Sequence, residues 1–354
     1  MLLYYSSKYL FQKSVSSVLV YRRCLVIIIF FYNLSLDLTC SIPTVGIIIP
    51  CYNEKEVLPL TIDAMRRFLK NWKEMRLISE ESFVLFVDDG SRDDTWSQIE
   101  HVHAMDEQFR GLKLAHNVGH QNALFAGLAE GHPHADCVAS MDADLQDDVE
   151  VIERFLVEYA KGNDIVYGVR VDRQSDSWFK RSTAQGFYRF IDWLGVEIIL
   201  NHADYRLMSR RAVETLCAHP ERNLFLRGMV PALGFQTTEV TYTRQPRPAG
   251  ESKYPLRKML ALAWDGVTSF SVRPIKLLFL LSLFMLIVSF GFVGYALYRR
   301  YEGEMMDGWT SLMMSIWFIG GLQLFGIGLI GEYIGKIYQE VKRRPRYIVE
   351  DKCE

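Results

Sequence analysis

Two long runs without a charged side chain constrain this chain more than any other feature: residues 277–298 (LLFLLSLFMLIVSFGFVGYALY) and 308–331 (GWTSLMMSIWFIGGLQLFGIGLIG). A helix that crosses a bilayer needs roughly 20 apolar residues at about 1.5 Å of rise each, and both runs meet that requirement. The alternative, two helices buried in a soluble core, is uncommon for uncharged runs of this length. The linker, residues 299–307, is too short to be a domain. The two helices are therefore expected to form a transmembrane hairpin whose flanks share one side. Arg273 and Lys276 precede the first run, and Lys336, Lys342, Arg343, Arg344 and Arg346 follow the second; the linker carries Arg299 and Arg300. The larger basic cluster belongs in the cytosol, which places everything upstream there too and predicts a multi-pass integral membrane protein.

Near the start, Lys13, Arg22 and Arg23 precede an apolar stretch over residues 24–32 with no small-residue cleavage site after it. Residues 1–43 are read as an N-terminal extension lying at the membrane interface. A third span, extended back through Ser14, is the alternative and would enclose two arginines. The six cysteines form no CxxC pair, so neither a zinc site nor a redox motif is indicated. Forty basic and 42 acidic side chains give a formal charge of -2, a balance that excludes a typical nucleic-acid binder.

From Thr44 onward, short apolar runs alternate with amphipathic stretches. Strands are expected at 45–50, 83–87, 112–115 and 137–141, and helices at 57–69, from about Thr95, and at 122–130. Strands alternating with helices predict an α/β domain with a mostly parallel sheet covered on both faces, here over residues 44–255. A juxtamembrane helix (256–276), the hairpin (277–331) and a basic tail (332–354) follow. Ligands of such sheets bind at the C-terminal strand ends. The unusual polar residues fall there: Pro50-Cys51-Tyr52-Asn53-Glu54, Asp88-Asp89-Gly90-Ser91 and Asp142-Ala143-Asp144.

Asp142 and Asp144, two apart at a strand end, offer oxygen ligands to a hard divalent cation. Such a cation would neutralise a departing nucleoside diphosphate as a Lewis acid. Taken alone, the pair could equally be a loop cap. Asp88-Asp89-Gly90-Ser91 alone could be a turn; its functional reading is a carboxylate accepting from a pyrimidine ring N–H, beside the Tyr52 ring and the backbone around Pro50 and Glu54.

In this order and spacing, IIIPCYNE, FVDDGSRDDT, HNVGHQNALFAGL and MDADLQD resemble family 2 glycosyltransferases of the GT-A fold, which is Rossmann-like. The segments YGVR, DYRLMSRRAV and GESKY, with the helix hairpin, narrow the resemblance to the polyprenyl-phosphate glycosyltransferases: the bactoprenol glucosyltransferases first, the dolichol-phosphate mannose synthases further off. The resemblance implies that Pro50, Tyr52, Glu54, Asp88 and Asp89 bind the nucleotide. It also implies that Asp142, Asp144 and Gln146 hold Mg2+ or Mn2+, and that Asp142, Asp144 and Arg206 are catalytic. Arg170, Lys180, Arg181, Arg206 and Lys253 would meet the acceptor phosphate. One departure is His116-Asn117, where the family usually has Arg-Asn.

The acceptor side has support of its own. Residues 169–190 mix Arg170, Arg173, Lys180, Arg181 and Arg189 with Trp178, Phe179, Phe187 and Tyr188. A basic amphipathic helix of that kind can lie in the interface and gather phosphate headgroups; a solvated helix face is the alternative. Residues 246–255 (PRPAGESKYP) read as a loop able to close over reacting phosphates. The expected activity is inverting transfer of one sugar, glucose from UDP-glucose by resemblance, to a polyprenyl phosphate, undecaprenyl phosphate in a bacterial inner membrane. Glycines 321, 328 and 335 recur every seven residues, a stripe that lets helices approach closely; the facing helix is the first span of the same chain or a neighbouring protomer, and the resemblance favours a homo-oligomer. A processive polysaccharide synthase would carry QxxRW, which is absent here. A non-catalytic membrane scaffold would be favoured by loss of the DxD pair, and both aspartates are present.

Overall fold

The computed structural model describes residues 42–170, 202–222, 226–243, 271, 273–302 and 308–354. Most of the N-terminal extension, of the basic amphipathic segment and of the 256–276 segment, and all of the 246–255 loop, lie outside the described residues. So do the candidate phosphate contacts Lys180, Arg181 and Lys253.

The centre of the sheet is β1 (Val45–Cys51), and all of its residues are buried. Its side chains alternate between two cores, as the period of two in a strand requires. Ile47 and Ile49 pack with Trp72, Phe86 and Phe155 on one face. Ile48 packs with Leu85, Leu112 and Phe125 on the other. The expected alternation follows: α1 (Leu58–Glu74), β2 (Phe83–Asp88), α2 (Thr95–Met105), β3 (Phe109–Leu114), α3 (His120–Gly131) and β4 (Cys137–Ser140). Strand β3 begins three residues earlier than expected, because Phe109 is wholly buried against Phe86 although Arg110 interrupts the apolar run. Helix α3 crosses β1 at Gly127, where any Cβ would collide with Ile48.

Strands β1, β2 and β3 add in one direction while β4 joins the other side of β1, all in parallel. The strand order therefore reverses between β1 and β4, and the crevice that such a reversal opens lies at their C-terminal ends. After α4 (Val151–Ala160), the chain forms β5 (Ile165–Arg170), β6 (His202–Ser209), α5 (Arg210–Ala218), α6 (Leu226–Ala232) and β7 (Thr237–Tyr242). Strand β6 runs antiparallel to both β4 and β5. It brings the DYRLMSRR segment alongside the end of β4.

Two long helices follow, α7 (Arg273–Tyr301) and α8 (Trp309–Lys342). The start of α7 lies beside the later part of α8: Tyr333 Oη donates to the Ser271 carbonyl at 2.6 Å, and Leu278 approaches Gly326. Large apolar side chains stand out from both helices, among them Phe279, Phe284, Phe290, Leu324, Phe325 and Ile327. An apolar surface of this extent needs a non-aqueous partner. Among the described residues one stretch, Phe318–Lys342 of α8, is long and apolar enough to cross a membrane. Among the described residues, a Cβ on Gly321, Gly328, Gly331 or Gly335 would meet nothing within 4 Å, so no described side chain of α7 packs on the glycine stripe.

The chain does not end in a free basic tail. Residues Val349–Cys353 form β8, antiparallel to β3, and complete an eight-stranded sheet of order β7-β5-β6-β4-β1-β2-β3-β8. The pairing is reinforced by Lys113 with Glu350 at 3.2 Å and Lys352 with Glu130 at 2.6 Å. The chain thus leaves the sheet before α7 and re-enters it after α8, so both ends of the helix pair lie on the sheet's side. Deleting residues 349–354 should bare the edge of β3. Since cross-strand pairs contribute about 0.2–1 kcal/mol each, the truncated protein should unfold at a lower temperature and aggregate sooner in light scattering; an unchanged melting curve would make β8 a passive passenger.

Candidate active site

The first two polar loops at the crevice are stitched to each other. Asn53 takes a positive φ of 54°, a conformation asparagine tolerates better than most residues. Its N–H donates to Ser91 Oγ at 2.9 Å, and its Oδ1 accepts from the Arg92 N–H at 2.8 Å. The Glu54 N–H donates to Thr95 Oγ1 at 3.0 Å. Tyr52 keeps its ring 43 % exposed at the rim. Pro50, by contrast, is buried inside β1 opposite Val87 and presents no ring to the crevice.

Asp88 and Asp89 are enclosed rather than displayed, at 0 % and 3 % exposure. Asp89 accepts from the N–H groups of Val118 and Gly119 at 2.7 and 3.0 Å, so both its oxygens brace the turn that starts α3. Asp88 accepts from the Ser91 N–H at 3.3 Å. Burial raises both carboxyls above their usual range, against the hydrogen bonds. Asp89 thus holds the start of α3 through both oxygens, and a nucleobase N–H would have to use the lone pairs those bonds leave. Gly90 is required directly after them: its φ is 66°, and a Cβ would stand 2.6 Å from the His116 carbonyl carbon.

The end of β4 carries the DxD pair. Thr61 Oγ1 donates to the Ala143 carbonyl at 2.7 Å, fixing the loop from α1. Leu145 has a positive φ of 52°, a rare state for a γ-branched residue. It is the middle residue of an Asx turn in which Asp144 Oδ1 accepts from the Gln146 N–H at 3.1 Å. Asp144 is 6 % exposed, whereas the Asp142 side chain is 35 % exposed. His120, the first residue of α3, lies between Asp142 and Asp204, with Nε2 3.6 Å from an oxygen of each.

Asp204 gathers three basic side chains. Besides His120, Arg206 approaches at 2.8 Å and Arg227 at 3.2 Å. Burial by itself would raise this carboxyl, but the His120 hydrogen bond and the Arg227 and Arg206 charges hold it well below the usual range. Burial would lower His120, and its two carboxylate neighbours raise it instead. Asp142 is raised by burial, with His120 opposing. On the far side of the cleft, Asp147 accepts from Tyr242 Oη at 2.6 Å and from Arg170 Nη2 at 3.2 Å. Arg170 is held on one edge and remains 28 % exposed.

Arg206 is therefore not where a substrate phosphate can reach it. Its side chain is 2 % exposed, bonded to Asp204 and facing the Leu226 carbonyl at 3.5 Å. Arg227, 35 % exposed on α6, is the cation that faces the cleft beside Asp204. It went unnoticed in the sequence because RNLFLRG holds no polar cluster around it. His120 lies inside the quoted HNVGHQN segment, and only the crossing of α3 over β1 reveals its two carboxylate partners.

The sequence pattern of glycosyl transferase family 2 matches residues 46–217, and that of the GtrB C-terminal hairpin matches residues 273–337. YkoT of Bacillus subtilis, described as an uncharacterized glycosyltransferase, is 51% identical over 310 residues, 88% of this chain and 92% of its own. The bactoprenol glucosyl transferase of Shigella phage SfX is 38% identical over 310 residues, 87% of this chain and 99% of its own. Among solved structures, the mannosyltransferase PcManGT from Pyrobaculum calidifontis, in complex with GDP-Man and Mn2+, is 14% identical with a TM-score of 0.41, covering 91% of this chain and 98% of its own. That likeness is too distant to bear on ligands.

Removing one partner of a buried ion pair costs about 3–5 kcal/mol. Arg206→Ala should accordingly lower the melting temperature and weaken both substrates together. A normal melting temperature with a defect confined to the acceptor would return Arg206 to the cleft.

Proposed function

The chain belongs to glycosyl transferase family 2, and from that premise we propose that it transfers one sugar from a nucleotide sugar to a polyprenyl phosphate at the membrane surface. The reading rests on relatives whose names specify bactoprenol as acceptor and glucose as sugar. Those relatives extend across both the catalytic segment and the hairpin. The observation that carries it is the return of the chain into the catalytic sheet after α8, which joins the cleft and an apolar helix pair in one body. An acceptor with a phosphate head and a hydrocarbon tail needs both.

In the proposed reaction an oxygen of the lipid phosphate attacks the anomeric carbon. The bond from that carbon to the diphosphate breaks, and the nucleoside diphosphate leaves with the bonding electrons. A single displacement inverts the configuration. Phosphate is already ionised near neutral pH, so alignment and charge neutralisation carry most of the work. Tyr52 and Glu54 border the nucleotide. Arg170 and Arg227 face the phosphates, each anchored by a carboxylate on one edge.

Among the described residues no three His, Cys, Asp or Glu side chains form a ready cation site. Asp142 and Asp144 still fit Mg2+ or Mn2+, since magnesium commonly uses one or two carboxylates and completes its shell with substrate phosphate and water. Gln146 would be a third protein ligand. The metal supplies charge neutralisation of the leaving diphosphate. UDP-glucose and undecaprenyl phosphate are the preferred substrates. The catalytic side is assigned to the cytosolic face of the bacterial inner membrane, with α7 and α8 crossing as a pair. A homo-oligomer is proposed from the glycines of α8 that α7 leaves uncovered.

Membranes containing the protein should convert labelled UDP-glucose into an extractable polyprenyl-phosphate glucose, and other nucleotide sugars should compete poorly. A labelled lipid formed only from another donor would change the sugar, and no labelled lipid from any donor would reject the reading. Asp144→Asn and excess chelator should each reduce turnover by at least about a hundredfold, as loss of one strong electrostatic contact to a transition state does, with membrane insertion intact. Full activity in chelator would remove the metal. Gly328→Leu should shift the detergent-solubilised species to a smaller size in sedimentation; an unchanged size would remove the argument for assembly through α8.

A further inference from the structure

The end of α8 grips the wall of the cleft. The Arg222 N–H, in the turn between α5 and α6, donates to both carboxylate oxygens of Glu340 at 2.7 and 2.8 Å. Four residues past the helix end, Arg346 Nη2 donates to the His219 carbonyl at 2.6 Å and also to the Glu221 carbonyl. The same guanidinium lies over the Phe125 ring, 4.3 Å from its centroid.

These contacts converge on the two elements that deliver the cleft's cations. Phe125 belongs to α3, whose first residue is His120. The turn leads into α6, where the Leu226 N–H donates to Gln121 Oε1 at 3.1 Å and Arg227 pairs with Asp204. Nearer the middle of α8 the grip is continued by Tyr333, which donates to the carbonyl of Ser271, two residues before α7. Charge-assisted bonds of this kind are short and directional. Together they fix the axis of the apolar helix relative to α3 and α6.

We propose that Glu340 and Arg346 form a strut that sets the height and tilt of the cleft above the bilayer, and that they are positioning residues for a lipid-borne phosphate. The proposal rests on the glycosyltransferase reading for its substrates. A polyprenyl phosphate cannot adjust its depth freely, because its tail holds the phosphate at the interface. A nucleotide sugar arrives from water and adjusts without restraint. A loosened strut therefore harms the use of a bilayer-embedded acceptor and spares both the donor and any acceptor free to diffuse into the cleft.

The test uses the full-length protein in lipid nanodiscs, as wild type, Glu340→Ala, Glu340→Gln and Arg346→Ala. Each is assayed with a long-chain polyprenyl phosphate embedded in the disc and with a short-chain, water-soluble polyprenyl phosphate. For the two alanine variants the KM for the embedded acceptor should rise about tenfold, as expected for a lost bond to a charged group. The KM for the soluble acceptor and the affinity for the nucleotide sugar should stay at wild-type values. Glu340→Gln should keep most of the function, since its amide oxygen still accepts from the Arg222 N–H. Equal losses with both acceptors, or no loss with either, would overturn the strut. Hydrogen exchange gives a readout that needs no turnover: the amides of His219, Glu221 and Arg222 should exchange faster in Glu340→Ala, and unchanged exchange would also overturn it. A wild type inactive with both acceptors would reject the glycosyltransferase reading, and exchange at 219–222 would still decide whether the strut exists.

Discussion

Asp204 carries a negative charge at 9 % exposure, and an uncompensated carboxylate at that depth costs several kcal/mol. Its compensation comes from three places in the sequence: His120 from the start of α3, Arg206 from β6 itself and Arg227 from α6. None of these elements can shift without exposing a charge to a poorly hydrated interior. The carboxylate therefore ties one helical wall of the crevice to the antiparallel strand beside β4. It also sets the electrostatics of the DxD pair. His120 is shared between Asp204 and Asp142, with Nε2 3.6 Å from an oxygen of each. Burial then leaves Asp142 with a raised affinity for protons, and the charges of Asp147, Asp204 and Asp144 push it the same way.

The parallel half of the fold was legible because its signals are local. Residues 45–50 and 83–87 are apolar runs ended by turn chemistry, and helices α1 and α2 lie close to where the sequence places them. The apolar runs of α7 and α8 were equally plain. What could not be read depends on pairing across distance. Strand β8 is VEDKC, with three charges in five residues; nothing in it signals a strand until the basic edge of β3 is known, where Lys113 meets Glu350. The candidate site divides in the same way. Asp142 and Asp144 could be found from spacing at a strand end. Arg206 was picked for its charge and motif, yet it sits on a strand covered by Tyr167 and α6, and the sequence does not say which face of β6 it occupies. Arg227 and His120 gain their meaning only from contact with Asp204.

The two attachments at and beyond the end of α8 act on different sides of the catalytic domain. Glu340 and Arg346 bind the wall formed by α3 and the α5–α6 turn, whereas β8 binds the outer edge of the sheet beside β3. A single attachment would leave the sheet free to swing about it; two separated attachments remove that rotation. Reaction between a soluble donor and an acceptor confined to an interface gains rate from this, since orientation lost to a swinging domain is regained only by chance encounter. The arrangement has a topological consequence as well. Strand β8 lies 237 residues from the residue it pairs by charge on β3, and α7 and α8 lie between them. The β3 edge stays open until both long helices have been made and the last residues return to the sheet. Such distant pairings form late. The charges that make β8 unreadable as a strand also suit its place in the finished sheet, because an edge carrying Glu350, Asp351 and Lys352 resists pairing with another chain.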